Sequence, residues 1–354
     1  MPPVKVMMVD DSALVRRVVG QMLSLDPDIE LVGTAANGRE ALDKIPVLKP
    51  DVVILDIEMP VLDGLSTLRR LMRTYPVPVV MLSSHTRAGS RETLEALSLG
   101  AVDFVPKPED SAKLSFVVGE LAAKVKTASR ISTKRFASLT DAKAANEKPR
   151  HPVLRAKPLP SGPRRELVVI GCSTGGPAAL QKLIPQLPAD LPAGVVVVQH
   201  MPVGFTASLA EHLARYSVIP VKHAADGDRV LPGEVLVAPS GADLYFVRQS
   251  GHLSVKIVGS KERSAPGVFH PSVDGVMISA ARLCGSKVLG VLLTGMGRDG
   301  ALGMQEIKKQ NGMTIAEAEE SCVVFGMPKA AIEIGAADKV VPIQDMAREI
   351  MNDL

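Results

Sequence analysis

The chain has 354 residues, of which 46% are apolar and 22% charged, as expected for a folded protein of two or three domains. Tryptophan is absent and aromatic residues make up only 3%, so the cores must be aliphatic and no surface for stacking nucleic-acid bases is indicated. Three cysteines and a net charge of +3 argue against a disulfide framework and against a strongly basic protein.

The basic residues are concentrated in one segment. Between Lys124 and Arg165 there are twelve Lys and Arg but two Asp and Glu, whereas the rest of the chain is net acidic. Such a run could attract nucleic acid or anionic lipid, but its composition is typical of a solvated linker. We therefore predict no nucleic-acid partner. A role of this segment in docking to a receptor tail or a membrane stays open.

The N-terminal sequence predicts a cytoplasmic location. Its first apolar stretch meets Asp10 and Asp11 too early to be the core of a signal peptide. No apolar run approaches the roughly 18 residues that a membrane span needs. We therefore predict a soluble protein with no transmembrane segment.

Short apolar runs alternate with helical patterns through residues 1–126. This alternation predicts a five-stranded (βα)5 domain, with a parallel sheet and helices on both faces. The predicted strands are 4–9, 30–35, 51–55, 77–82 and 101–105, and the predicted helices are 12–24, 38–48, 63–74, 88–98 and 109–126.

Residues 127–163 are predicted to be a basic linker, because they contain five prolines and no sustained apolar period. A second α/β domain is predicted over 164–354, doubly wound and mostly parallel. Between 226 and 260 the period shifts toward two, which predicts antiparallel hairpins inserted in that sheet. The predicted parallel strands are 166–172, 194–198, 287–293, 312–316 and 338–342.

Acidic residues and a lysine follow the strands of the first domain. Asp10 and Asp11 follow the first strand, Asp56 the third and Lys107 the fifth, with Ser83 after the fourth. Because ligands of open α/β sheets bind at the carboxyl ends of strands, these groups should meet. Carboxylates gathered there would favour Mg²⁺, and one of them could attack phosphorus. Each residue alone also fits a helix cap or a surface charge.

Four motifs of this domain, VDDS, ILDIEMPVLDG, VVMLSS and GAVDFVPKP, resemble the receiver domain of two-component response regulators. The resemblance implies that Asp56 is phosphorylated and that Ser83 and Lys107 contact the phosphoryl group. It also implies a Mg²⁺ site formed by Asp10, Asp11, Asp56 and the backbone carbonyl of Glu58. Phe104 stands where the family has its switch aromatic, although a role as a core aromatic fits equally well.

Three residue types needed for acyl transfer follow strands of the second domain. Ser173 follows the first strand, His200 the second, and Asp299 lies in the turn after LGVLLT. They offer an oxygen nucleophile, a base and a carboxylate that orients the base. Glycines after Ser173 allow a tight turn into a helix whose amides could bind an oxyanion. The sequence GCSTGG is not the G-x-S-x-G elbow of α/β-hydrolases.

Other interpretations of these residues were considered. The glycine-rich turn could hold a nucleotide phosphate, but neither the dinucleotide nor the Walker pattern fits. Cys172 could be proposed as a nucleophile, although a free cysteine at the end of a strand is usually a small buried apolar group. His270 could line the pocket or serve in a loop or cap.

Six segments resemble the chemotaxis protein-glutamate methylesterases, which also deamidate glutamine. The resemblance implies that Ser173 is the nucleophile, His200 the general base and Asp299 its orienting acid, with no cofactor for the hydrolase. It places Thr174, Gly175 and Met296 near the oxyanion and substrate. Cys172 stands where Ala or Ser is commoner, and only His270 precedes PSVD where a His-Arg pair is usual. The six segments are GCSTGGP, QHMPVGFTASLAEHL, ADGDRVLPGEVLVAP, HPSVDGVM, LLTGMGRDGALGM and ESCVVFGMP.

The two resemblances together imply a phosphorylation-activated hydrolase with two kinds of partner. The substrates would be methyl-accepting chemotaxis receptors, and the phosphodonor a cognate histidine kinase. The unphosphorylated receiver would cover the active-site cleft, and phosphorylation of Asp56 would open it.

Three alternative functions each predict features of the sequence. A receptor-binding module without activity predicts a broken set of catalytic residues, whereas Ser173, His200 and Asp299 are all present. A DNA-binding regulator predicts a helix-turn-helix, whereas the second domain has an α/β pattern. The same enzyme acting on a receptor array outside chemotaxis has the same sequence features, so that alternative stays open.

Overall fold

The structure is a computed structural model, and it describes residues 2–84, 87–107, 114–131, 165–259 and 269–354. The chain divides into two compact units, Met1–Asn146 and Glu147–Leu354. The predicted linker, 127–163, lies outside the described residues from 132 onward, while the preceding helix extends to Ala128. In the described part, no helix is both long and apolar enough to cross a membrane.

The first unit is an alternating β/α structure, as predicted. Its five strands form one sheet in the order β2-β1-β3-β4-β5, and every neighbouring pair is parallel. The inner strands β3 and β4 are fully buried and mainly aliphatic, and so need helices on both faces, whereas the edge strand β2 is largely half-buried. The elements are β1 (Val4–Val9), α1 (Ala13–Leu23), β2 (Ile29–Ala35), α2 (Gly38–Leu48), β3 (Val52–Asp56), α3 (Gly64–Thr74), β4 (Val79–Ser83), α4 (Arg87–Ser98), β5 (Asp103–Pro106) and α5 (Leu114–Ala128).

The second unit contains a seven-stranded parallel sheet in the order β14-β13-β12-β6-β7-β9-β8. From the central strand β6 the chain forms one side of the sheet through β7, the edge strand β8 and then β9, and afterwards the other side through β12, β13 and β14. Its elements are β6 (Leu167–Cys172), α6 (Gly176–Leu183), β7 (Gly194–Gln199), α7 (Phe205–Tyr216), β8 (Val221–His223), β9 (Val235–Val237), β10 (Ala242–Gln249), β11 (His252–Gly259), α8 (Val273–Cys284), β12 (Val288–Leu292), α9 (Ala301–Lys309), β13 (Met313–Glu317), α10 (Met327–Glu333), β14 (Lys339–Val341) and α11 (Ile343–Asn352).

The predicted antiparallel insertion is confirmed as a hairpin, with a difference in placement. Strands β10 and β11 pair with each other, from Ala242↔Gly259 to Gln249↔His252, in a sheet of their own, and Arg229 forms an antiparallel bridge with Ser254 of β11. Between 226 and 260 the short strand β9 joins the parallel sheet instead. The hairpin packs its apolar face, including Leu244 and Val255, into the same core as β6 and α8.

Candidate functional site

The acidic residues of the first unit meet where the order of its strands reverses. Asp10 and Asp11 follow β1, Asp56 ends β3, and these two strands are neighbours. Ligands bind at such switch points because the connections on the two sides diverge and leave a crevice. One carboxylate oxygen of each residue lies within 4.8 Å of the others. Asp10 and Asp56 are buried, whereas Asp11 is exposed.

Lys107 supplies the positive charge of this pocket. Its Nζ lies 2.7 Å from Oδ2 of Asp56 and 3.0 Å from Oδ2 of Asp10. Burial raises the pKa of Asp56 to about 6, and repulsion from Asp10 adds to this effect, so Lys107 offsets it only in part. Burial alone would lower the pKa of Lys107, but the two carboxylates outweigh it and raise that pKa. The pocket therefore carries more negative charge than its lysine neutralises.

The other two predicted residues border the same pocket. The amide of Glu58 donates a hydrogen bond to Asp56, so the backbone of this turn lies beside the carboxylate. Ser83 ends β4 and is fully buried. Its Oγ lies 2.5 Å from Oγ1 of Thr93 and 3.2 Å from the carbonyl oxygen of Gly89. In this structure the Ser83 hydroxyl is thus engaged with the beginning of α4.

The second candidate site also lies at a strand-order reversal. Ser173 follows the central strand β6, and its neighbours are β7, which ends before His200, and β12, which leads into the turn that carries Asp299. The connections after β7 and β12 run to opposite edges of the sheet. The crevice between them is therefore bordered by the turns that carry the three predicted residues.

The turn after β6 holds Ser173 by its backbone. The Ser173 amide donates to the carbonyl of Thr294, and the Thr294 hydroxyl donates to the carbonyl of Thr174, at 3.0 and 2.9 Å. Gly175 has φ +80, and a Cβ there would lie 2.5 Å from Cβ of Val323, so glycine is required on both counts. Helix α6 starts at the next residue, so amide groups of its first turn lie beside Ser173.

His200 is oriented by Asp299. Nε2 of the imidazole lies 2.9 Å from Oδ2 of Asp299, and the side chain is 4% exposed. The ring of Phe269 stacks on the imidazole with centroids 4.1 Å apart and planes 8° apart. Both ring nitrogens are buried and lack a well-aligned hydrogen-bond partner among the described residues, so Nε2 and Asp299 are in close contact without full hydrogen-bond geometry. Nδ1 makes no such contact and is therefore the nitrogen left to accept a proton.

Asp299 is held ionised by the start of helix α8. Its carboxylate accepts hydrogen bonds from the Ser272 hydroxyl and from the amides of Val273 and Asp274, at 2.8 to 3.0 Å. Burial acts to raise the pKa of Asp299, but His200 and these amides outweigh it and lower the pKa to about 2. A carboxylate anchored in this way keeps the imidazole in one orientation.

Asp274 completes a reciprocal arrangement that the sequence did not reveal. While Asp299 caps helix α8, Oδ1 of Asp274 accepts hydrogen bonds from the amides of Gly300 and Gly303, at 2.9 and 2.6 Å, at the start of α9. Asp299 thus lies at the positive N-terminal end of α8, and Asp274 lies at that of α9. Burial raises the pKa of Asp274 to about 6, and repulsion from Asp299 adds to it. The motif PSVD gave no indication of this partner.

The remaining predicted residues surround the crevice. Thr174 is buried, and Met296, in the turn after β12, is 44% exposed. Cys172 is a fully buried strand residue, and burial raises the pKa of its thiol, which confirms its interpretation as a small apolar group and not a nucleophile. Nδ1 of His270 lies 2.8 Å from Oδ1 of Asp243, so this histidine is paired to the hairpin strand β10.

Comparison with known proteins matches both units to described families. The profile of the CheB methylesterase family matches residues 168–350, and that of the response regulator receiver domain matches residues 6–118. A "protein-glutamate methylesterase/protein-glutamine glutaminase 1" of Carboxydothermus hydrogenoformans is 51% identical over 346 residues, which are 98% of each chain. A protein-glutamate methylesterase/protein-glutamine glutaminase of Archaeoglobus fulgidus is 48% identical over 99% of this chain and 98% of its own.

A solved structure agrees with these matches. The crystal structure of the Thermotoga maritima CheB methylesterase catalytic domain is 44% identical, with a TM-score of 0.51. It covers 53% of this chain and 98% of its own. The family profile spans the strands that carry Ser173, His200 and Asp299, and the relatives align over nearly the whole chain, receiver included. The chain belongs to the CheB family of protein-glutamate methylesterases that carry a receiver domain.

Proposed function

We propose that the second unit hydrolyses glutamate γ-methyl esters on methyl-accepting chemotaxis receptors, with Ser173 as nucleophile, His200 as general base and Asp299 as the acid that orients it. The observation that carries this proposal is the 2.9 Å contact between His200 and an anchored, ionised Asp299, beside the serine turn on the neighbouring strand. The same chemistry, with ammonia as leaving group, deamidates glutamine.

The reaction proceeds in two halves. Nδ1 of His200 takes the hydroxyl proton of Ser173 as Oγ attacks the ester carbonyl. The imidazolium, stabilised by Asp299, returns the proton to the methoxide oxygen, and methanol leaves an acyl-enzyme. Water then attacks the acyl carbon while His200 accepts its proton, which restores the Ser173 hydroxyl and leaves a free glutamate.

The negative oxygen of each tetrahedral intermediate needs donors. The amides of Thr174 and Gly175 follow Ser173 at the positive end of α6, whereas the amide of Gly176 already donates to the Ser173 carbonyl oxygen and Pro177 has no N–H group. We assign the amides of Thr174 and Gly175 to this oxyanion. Met296, exposed in the turn after β12, would contact the methyl ester and the receptor backbone. None of these steps uses a cofactor.

The first unit would accept a phosphoryl group on Asp56 from a histidine kinase. Three carboxylate oxygens within 4.8 Å fit a hard divalent cation, and the pocket's excess negative charge favours one. Asp10, Asp11, Asp56 and the carbonyl of Glu58 would hold Mg²⁺, which neutralises charge on the transferred group. Lys107 would pair with a phosphoryl oxygen. The Ser83 hydroxyl would leave its contact with Thr93 and donate a hydrogen bond to a phosphoryl oxygen.

Phosphorylation would then regulate the hydrolase. It adds roughly −1.5 to −2 charge at Asp56, in a pocket where Lys107 already pairs with the carboxylate. A change of this size is enough to rearrange the receiver surface and so release the second unit for catalysis. Activity of the receptor kinase would thus lead to receptor demethylation, which is sensory adaptation.

Methanol release from methylated receptor membranes tests both sites. With acetyl phosphate and Mg²⁺ the parent should release methanol faster than without them, Ser173→Ala should release none, and Asp56→Asn should lose only the stimulation. Release by Ser173→Ala at the parental rate would refute the assignment of the nucleophile. Equal rates with and without phosphodonor would refute the regulation. No release by the parent under any condition would favour a receptor-binding module.

A further inference from the structure

We infer that Gln199, the last residue of β7, is a positioning residue that fixes the nucleophile and the base relative to each other; this inference rests on the proposed function. Its side chain is 2% exposed and lies between the two turns that carry Ser173 and His200. It belongs to neither the proposed reacting groups nor the apolar core.

The Gln199 amide bridges these two turns directly. Nε2 donates one hydrogen bond to the carbonyl oxygen of Ser173 and one to that of His200, both at 2.9 Å. Oε1 accepts from the thiol of Cys172 at 3.0 Å. The opposite orientation of the amide would place Oε1 against two carbonyl oxygens, so the contacts allow only this one.

The sheet itself cannot hold the two residues together at this point. The pairing of β6 with β7 ends at Cys172↔Gln199, and the last ladder bond runs from the His200 amide to the Cys172 carbonyl. Beyond it the strands turn away into their helices. The two N–H groups of one planar amide replace the next rung, and they set the spacing of the two carbonyls at the point where catalysis needs it.

The neighbouring glycine leaves room for this amide. A Cβ on Gly176 would lie 2.1 Å from Oε1 of Gln199 and 2.9 Å from Cβ of Cys172. The first residue of α6 thus packs directly against the bridge. The bridge, the thiol and the start of the helix form one close-packed group beneath Ser173.

The side chain of Gln199 touches no solvent-facing part of the crevice, so its loss should lower kcat and leave KM nearly unchanged. Replacement by methionine keeps length and burial but removes both donors. Because misplacement of reacting groups by about 1 Å costs on the order of 10²-fold in rate, we expect a loss of kcat of about 10²-fold for Gln199→Met. The matched control is Val197→Ala, on the same strand and face and fully buried, which removes core volume without touching either turn.

The experiment measures kcat and KM for methanol release from receptor membranes, and melting temperatures, for the full-length parent, Gln199→Met, Val197→Ala and Ser173→Ala. A fall of about 10²-fold in kcat for Gln199→Met, with KM within about twofold and Val197→Ala within about threefold of the parent, supports the inference. Gln199→Met within about threefold of the parent overturns it, as does an equal loss in Val197→Ala. An active Ser173→Ala would instead refute the proposed function, so the two failures are distinguishable.

If Gln199→Met does not fold, Gln199→Glu decides the question. Its carboxylate would face two carbonyl oxygens, whereas its protonated form offers one O–H donor. The ratio of its kcat to that of the parent should therefore rise as the pH falls. A ratio that does not change with pH overturns the inference.

Discussion

The buried carboxylate of Asp56 should make the first unit less stable at neutral pH than a neutral side chain would. Burial raises its pKa from 3.8 to about 6, so the folded state binds a proton more tightly than the unfolded state. Stability is therefore greatest where Asp56 is protonated, and it falls as the pH rises from about 4 to about 6. Asp56→Asn is neutral at every pH and has nearly the same shape.

The magnitude follows from the size of this shift. A difference of about 2.2 pKa units is worth about 3 kcal/mol at pH 7, about half of that at pH 5, and almost nothing below pH 4. Asp56→Asn should thus stabilise the first unit by about 3 kcal/mol at pH 7. For a unit of this size, that is an increase of roughly 10 °C in its melting temperature.

Calorimetry of the full chain at pH 7.5, 5 and 4 measures this directly, with Asp43→Asn as a control in which an exposed carboxylate on α2 is removed. The control should change the melting temperature little at any pH. If Asp56→Asn gives no stabilisation at pH 7.5, or one that does not shrink on acidification, then burial does not raise the pKa of Asp56 in the folded state. Mg²⁺ should raise the melting temperature of the parent more than that of Asp56→Asn, because the variant loses one of the proposed ligands.

Three further predictions concern the second unit. Asp299→Asn removes the charge that orients His200 and should lower kcat by about 10⁴-fold, with KM nearly unchanged, in the methanol-release assay. Asp274→Ala leaves two helix-terminal amides without their acceptor and should destabilise the unit by about 1–3 kcal/mol in urea unfolding, whereas Asp274→Asn should stay close to the parent. Gly175→Ala should lower both stability and activity, whereas Gly251→Ala, at the same φ of +80 but with no atom within 4 Å of its Cβ, should show only the backbone cost of about 1 kcal/mol.

Each of these predictions has an outcome that contradicts it. An Asp299→Asn variant with parental kcat would mean that the contact with His200 does not orient the base. Equal stability of Asp274→Ala and Asp274→Asn would mean that the reciprocal caps contribute little. If Gly175→Ala and Gly251→Ala lose the same free energy of unfolding, then the close approach of Val323 relaxes without cost.

The sequence predicted the elements of the parallel sheets well because buried parallel strands are continuous aliphatic runs, and such runs stand out between helical patterns. Strand β1 was predicted over 4–9 and lies at Val4–Val9, and helix α2 was predicted over 38–48 and lies at Gly38–Leu48. Strands β8 and β9, of three residues each, were not predicted as members of the parallel sheet, although the equally short β14 was predicted over 338–342. Strand β9 joins the sheet by pairing with β7, and β8 joins it by pairing with β9; such pairing is a property of the fold and not of the segment.

The residues of the candidate sites also divide into those that the sequence predicted and those that it did not. Ser173, His200 and Asp299 were predicted because each follows a strand, and a parallel sheet gathers whatever follows its strands at one edge. Asp274 and Gln199 were not, because an acid in a first helical turn and an amide at the end of a strand fit ordinary surface or capping roles. Their contacts depend on the register of β6 with β7 and on the approach of α8 to α9, which link residues 26 to 29 positions apart in the chain. Reactive residues that follow strands can therefore be predicted from the order of residues in the chain alone. The residues that hold them in place are recognised only when neighbouring elements are packed together.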